Sequence, residues 1–184
     1  MKIVVGISGG SGAIYALGIL QALRELGVES HLVVSNMGEY VAEHECGVSL
    51  DELKKMADFY YENYDLAAPI ASGSFKTDGM IIVPCSMKTL ASVAHGFSES
   101  LLTRCADVCI KDRRKLVLLP RETPLSSIHL ENMLKLSNIG VTIMPPTPGF
   151  YNHPQDISDI VSSIIGRCLD QFDIEHNLLK RWGE

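Results

Sequence analysis

The sequence predicts a single α/β domain built on a doubly wound parallel sheet, and three observations predict it. Short β-branched apolar runs alternate with stretches that repeat apolar residues at helical spacing, as in residues 2–6 (KIVVG) followed by 14–26 (IYALGILQALREL). Glycine or hydroxyl residues stand where strands pass into helices. A chain of 184 residues that is 46% hydrophobic fills one core and falls short of two. In such a fold helices cover both faces of the sheet, and ligands gather at the carboxyl ends of the strands.

The first strand, 2–6, reaches its helix through residues 7–13 (ISGGSGA), and that helix stops near Leu26-Gly27, where glycine follows the last apolar position. Residues 30–36 (SHLVVSN) form the second strand and close the first βαβ unit. Residues 37–57 read as mixed helix, and 59–74 (FYYENYDLAAPIASGS) as an excursion lying over the sheet. The third strand is 78–84 (DGMIIVP), and Cys85-Ser86-Met87-Lys88-Thr89 opens the next helix with hydroxyls where caps belong. A helix over about 99–113 precedes the fourth strand, 115–120 (KLVLLP). A helix around 128–136 leads into a fifth strand, 141–145 (VTIMP), then the proline-rich loop 145–154 (PPTPGFYNHP). A last amphipathic helix, 156–172, ends in a tail from about residue 171 that carries the sole tryptophan, Trp182.

A formal net charge of −6 supplies no general attraction to nucleic acid or to an acidic membrane surface. The cysteines, Cys46, Cys85, Cys105, Cys109 and Cys168, are odd in number and form no C-x-x-C pair, which suits a reducing compartment such as the cytoplasm. Glycines break the apolar start within a few residues, so it reads as a strand rather than a signal or membrane segment. His31, His44, His95, His129, His153 and His176 show no metal-ligand spacing, so no metal site is expected and they read as caps, polar contacts or surface. Cys85 reads as a small buried thiol, because no base stands at identifiable spacing from it.

The first turn reads as an anion site. Gly9, Gly10 and Gly12 let the backbone turn sharply and approach a ligand, Ser11 offers a hydroxyl, and the free N–H groups of the helix start point outward. The glycine spacing does not match G-x-G-x-x-G, there is no G-K-[ST], and the second strand ends in Ser35-Asn36 rather than in an acid for a ribose. A mononucleotide such as FMN fits better than a dinucleotide or a nucleoside triphosphate. The Ser86 turn is a second anion site, and Arg121-Glu122 after the fourth strand joins Ser11, Ser35 and Ser86 on one rim. Arg104 and Lys111, seven apart on one helix, share a face, Arg167 projects from the last helix, and Arg113, Arg114 and Lys115 read as a solvated run.

Several blocks, GISGGSGAIYA, PCSMKTLA, LVLLPRETPLSSIHLENMLKLSNIG, PPTPGFYNHP and the RWGE end, resemble the UbiX-type flavin prenyltransferase family over essentially the whole chain. The resemblance implies a flavodoxin-like, Rossmann-like fold in a homo-dodecamer with sites at subunit boundaries. It also implies that FMN and dimethylallyl phosphate are joined through flavin N5 and C6, and that prenylated FMN passes to a partner UbiD-type decarboxylase. Position by position, it implies FMN against Gly9, Gly10, Ser11, Ser35, Ser86, Met87, Lys88, Thr89 and Arg121. It implies the prenyl phosphate near Arg104, Lys111, Tyr151 and Arg167, Glu122 in proton transfer, Ser11 near N5, and Trp182 as an aromatic group near the reaction. Gly10 departs from the alanine common in relatives, and Met87-Lys88 from smaller residues.

The residue types suit that chemistry. Cleaving an allylic carbon–oxygen bond leaves phosphate negative and carbon positive, so cations and a tyrosine hydroxyl stabilise the leaving group and an aromatic face stabilises the cation. No Asp-Asp run is present to hold magnesium, and basic side chains suffice for a monophosphate. The alternatives are an FMN-dependent cysteinyl decarboxylase and a non-catalytic, flavin-carrying decarboxylase subunit. Neither has an evident need for a second phosphate site.

Overall fold

The computed structural model describes residues 1–183. Its elements run in chain order β1 (Lys2–Ile7), α1 (Ala13–Glu25), β2 (Glu29–Val34), α2 (Asn36–Cys46), α3 (Leu50–Met56), β3 (Phe59–Glu62), β4 (Gly79–Cys85), α4 (Met87–His95), α5 (Leu101–Lys111), β5 (Lys115–Pro120), α6 (Ser127–Asn138), β6 (Thr142–Ile143) and α7 (Ile157–Asp170). The six strands form one sheet in the order β3-β2-β1-β4-β5-β6, and every pairing is parallel. The strand order reverses between β1 and β4, where the connections turn to opposite faces and leave a crevice at the carboxyl ends.

Strand side chains alternate, so each run feeds two cores. Ile3, Val5 and Ile7 of β1 pack with α1 and α7 on one face, together with Ile81, Val83, Ile164 and Leu169. Val4, Met80, Ile82 and Leu118 pack on the other face with Leu101, Leu102 and Cys105 of α5. Burial on both faces explains why β1, β4 and β5 read as continuous apolar runs rather than as alternating ones.

One expectation fails here. Phe59–Glu62 does not lie over the sheet but forms its edge strand, paired with β2 from His31↔Phe59 to Val34↔Glu62. Four residues are too few for a visible period, and their aromatic character is that of a strand surface. Tyr60 packs toward the α1 side and Tyr61 toward the α5 side.

Candidate active site

The crevice is tied together at its base by a residue that the sequence reading passed over. Ser8, 1% exposed, donates to the Pro84 carbonyl through both its N–H (3.2 Å) and its hydroxyl (2.9 Å), and its hydroxyl oxygen accepts from Ser86 N–H at 2.8 Å. The exits of β1 and β4 are thereby fixed to each other. Gly9 follows at once, and a Cβ there would stand 2.5 Å from the Met37 Cβ, so glycine is what lets this loop close onto the start of α2. Gly12 turns the chain into α1 at φ +108°, in the left-handed region.

Four helices start on this rim, and hydrogen-bond accounting separates them. The N–H groups of Gly12 and Ala13 at α1 donate to the Glu45 carboxylate at 2.8 and 3.0 Å, so the expectation that they point outward to an anion is wrong. The protein fills that position with its own charge. At α5, Leu101 N–H donates to the Asn63 carbonyl (2.8 Å), Leu102 N–H to Asn63 Oδ1 (3.1 Å) and Thr103 N–H to Ser100 Oγ (3.4 Å). At α2 and α4 the caps Ser35 and Ser86 accept only from Gly38 N–H (3.0 Å) and Thr89 N–H (3.2 Å). Among the described residues, the N–H groups of Asn36, Met37, Met87 and Lys88 have no protein acceptor.

Both open helix starts border one cavity of about 510 Å³, which Gly9, Ser35, Ser86, Lys88 and Thr89 line on the polar side and Phe97 and Leu102 on the apolar side. Two helix N-termini and a lysine suit a phosphate, and the apolar wall suits a ring system, so the residues present fit a mononucleotide such as FMN. Gly10 is buried behind this wall and Met87 is half-buried in the first turn of α4.

Beside the cavity, Arg121 and Glu122 follow β5 on the exposed rim, with Arg121 N–H donating to the Cys85 carbonyl at 3.3 Å. Glu122 accepts from Thr123 N–H at 3.0 Å, which aims its carboxylate along its own turn. Burial acts to raise the Glu45 pKa, but hydrogen bonds from the Ser11 hydroxyl and from the Gly12 and Ala13 backbone, with the charge of Arg121, outweigh it and hold the group below the ordinary carboxylate value. Glu45 thus ties the end of α2 to the first turn, a connection that no spacing in the sequence announces.

The remaining predicted residues lie elsewhere in the chain. Arg104 and Lys111 do share one face of α5, and both line a basin of about 900 Å³ with Lys76 and Arg114. Arg104 donates to Asp107 (2.6 Å) and to the Ala71 carbonyl (3.1 Å), and Lys111 to Asp112 (2.6 Å). Gly73 brings the loop against these groups, since a Cβ there would lie 2.6 Å from Lys111 Nζ. Arg114 is not part of a solvated run: it is pinned by the carbonyls of Gly73 and Phe75, by Thr77 and by Asp112. Gly73, Phe75 and Thr77 precede β4 and Asp112 precedes β5, so the Lys111 end of the basin lies beside the amino ends of the strands, about 20 Å of strand away from the rim.

Arg167 lies on the opposite face of the sheet, in the last turn of α7, and donates to Asp170 at 3.0 Å. Tyr151 meets Trp182 edge to face, with centroids 5.5 Å apart. Within one chain the predicted residues therefore form three groups: the rim, the α5 basin and the α7 cluster. Cys85 is fully buried and burial pushes its thiol well up, in keeping with an unreactive role. The predicted polar roles of histidine hold for His31 against Tyr61 and Glu29, for His95 against Asn132 and for His176 against Asp170.

Residues 1–169 match the model of the Flavoprotein family. The chain is 49% identical to the flavin prenyltransferase UbiX of Methanocaldococcus jannaschii, over all of this chain and 99% of that protein. It is 52% identical to the flavin prenyltransferase LpdB of Lactiplantibacillus plantarum, over 98% and 97% of the two chains. Among solved structures it matches a dodecameric FMN-dependent UbiX-like decarboxylase from Escherichia coli O157:H7 with a TM-score of 0.98 and 51% identity over the whole of both chains. It matches AnUbiX (PadA1), solved in complex with FMN and dimethylallyl pyrophosphate, with a TM-score of 0.98 and 46% identity over 100% of this chain and 97% of that one. The peptidyl-cysteine decarboxylase EpiD, 19% identical with a TM-score of 0.63, shares the fold alone.

Proposed function

The chain belongs to the UbiX-type flavin prenyltransferases within the flavoprotein family, and from that premise we propose that it joins a dimethylallyl group from dimethylallyl phosphate to N5 and C6 of reduced FMN. The product, prenylated FMN, serves a partner UbiD-type decarboxylase. The observation that carries this reading is a pair of features of different make: open helix N-termini around one cavity, and a second basin lined by Lys76, Arg104, Lys111 and Arg114, of which the last three meet Asp107 and Asp112 within the chain. One phosphate suits each. A flavin carrier or a cysteinyl decarboxylase has use for the first only.

We assign Gly9, Gly10, Ser11, Ser35, Ser86, Met87, Lys88, Thr89 and Arg121 to holding FMN, which when bound and reduced supplies nucleophilic N5 and C6. Arg104, Lys111, Tyr151 and Arg167 hold the prenyl phosphate and stabilise its charge as the allylic carbon–oxygen bond breaks. Trp182 presents an aromatic face to the positive carbon, and Glu122 at the rim accepts the proton released at ring closure. Ser11, oriented by Glu45, lies beside the reacting edge.

The three groups lie on different faces of one chain, so the full set comes together between copies. A homo-dodecamer, as in the Escherichia coli relative, supplies such boundaries. We read residues 1–184 as one flavin-binding unit with a C-terminal tail. Five free thiols, four of them buried, favour a cytoplasmic setting. Incubating the purified protein with reduced FMN and dimethylallyl phosphate yields a flavin heavier by one dimethylallyl unit, read by mass spectrometry; FMN bound but unchanged in mass sinks the transferase reading in favour of a carrier.

A further inference from the structure

Asp170, the last residue of α7, collects more charged partners than any group on the rim. Its Oδ2 accepts from Arg167 Nη1 at 3.0 Å and from Arg181 Nη1 at 3.3 Å, and its Oδ1 from Arg181 Nη2 at 2.9 Å and from His176 Nε2 at 3.2 Å. The side chain of Asp170 is 15% exposed and that of His176 1%. Arg181 grips both carboxylate oxygens, a bidentate geometry that fixes orientation as well as distance. The next residue is Trp182, seated on Tyr151. One carboxylate therefore sets an arginine of α7 and the course of the tail that carries the only indole.

We propose that Asp170 is a positioning residue for the prenyl-phosphate half of the site, orienting Arg167 directly and docking Trp182 on Tyr151 through Arg181. The proposal rests on the functional reading above, which gives Arg167, Tyr151 and Trp182 their substrate. Asp170 itself touches neither substrate nor flavin; it acts through the two arginines. The tail starts firmly, with the N–H groups of Gln171, Phe172, Asp173 and Ile174 donating to carbonyls of Cys168, Leu169 and Asp170 and with Phe172 and Ile174 buried. Further along, His176 and Leu179 lie over Gly166, where a Cβ would come within 2.7 Å of either, and it is the segment beyond them that Arg181 ties back to Asp170.

The test uses Trp182 as its own reporter. Asp170→Asn keeps the shape and removes the charge. Trp182 is 82% exposed, so its freedom of motion rather than its burial is what reports on the tail, and we expect its emission anisotropy to fall. We also expect the KM for dimethylallyl phosphate to rise about tenfold or more, the scale of losing charge-assisted hydrogen bonds, while FMN binding changes less than about twofold. Arg181→Ala, which leaves the Arg167–Asp170 pair in place, reproduces the fall in anisotropy with a smaller rise in KM. Unaltered anisotropy and KM in a folded Asp170→Asn protein overturn the proposal, as does a parallel loss of FMN binding, which marks a general structural role. Failure of the wild-type protein to form any adduct overturns the functional reading instead, and it leaves the anisotropy result to decide the tail.

Discussion

Glu45 changes how the first turn is read. Glycines and a serine between a strand and a helix describe a phosphate cradle, but the two N–H groups at its centre bind a carboxylate from the far end of α2. What the turn gains is a negative charge held against its own N–H groups. Because the folded pKa of Glu45 is depressed, its stabilising effect is fully present above the ordinary value of 4.5 and is lost as pH falls through the folded value. Glu45→Gln should therefore melt lower than wild type at pH 7, by about 0.5–1 kcal/mol or roughly 1–4 °C for an exposed charge at a helix start. The gap should close on acidification, and thermal melts across pH check it; a gap that ignores pH would mean that shape, not charge, holds the turn.

Ser8 acts on whole elements, because it binds the exit of β1 to the exit of β4 across the point where the strand order reverses. Ser8→Ala leaves the Ser86 N–H without its partner at the mouth of the cavity, a loss on the order of 1–3 kcal/mol. FMN affinity should fall about tenfold or more, as read by titrating flavin fluorescence; unchanged affinity would detach the Ser86 turn from flavin binding. Ser8 also marks the limit of what the sequence discloses. The runs KIVVG and KLVLLP declare buried parallel strands, and Ser35 and Ser86 declare helix caps, since each signal is local. The bond from Ser86 to Ser8 spans 78 residues and that from Leu102 to Asn63 spans 39, and neither leaves a periodic trace. β3 stayed hidden for another reason: four aromatic and acidic residues at an edge carry too little alternation to be told from a loop.

At the scale of the whole molecule, the separation of the rim, the α5 basin and the α7 cluster makes assembly part of the chemistry on the function proposed above. Arg104→Ala and Arg167→Ala should each lose most activity alone, yet mixed assemblies prepared by joint refolding or co-expression should regain a measurable share, because some boundaries then carry one intact copy of each group. Adduct formation in the mixture against each parent checks this, and no recovery would require both arginines to come from one chain. The sheet itself bears on how such copies meet. Its outer strands are four and two residues long, β3 and β6, so little unpaired backbone is left at either side. Such short edges disfavour pairing of copies into one continuous ribbon. In the assembly proposed above, copies would then join through side chains of helices and loops, the surfaces that carry Arg104, Arg167 and Trp182, and contact between copies would complete the reaction centre in a single event.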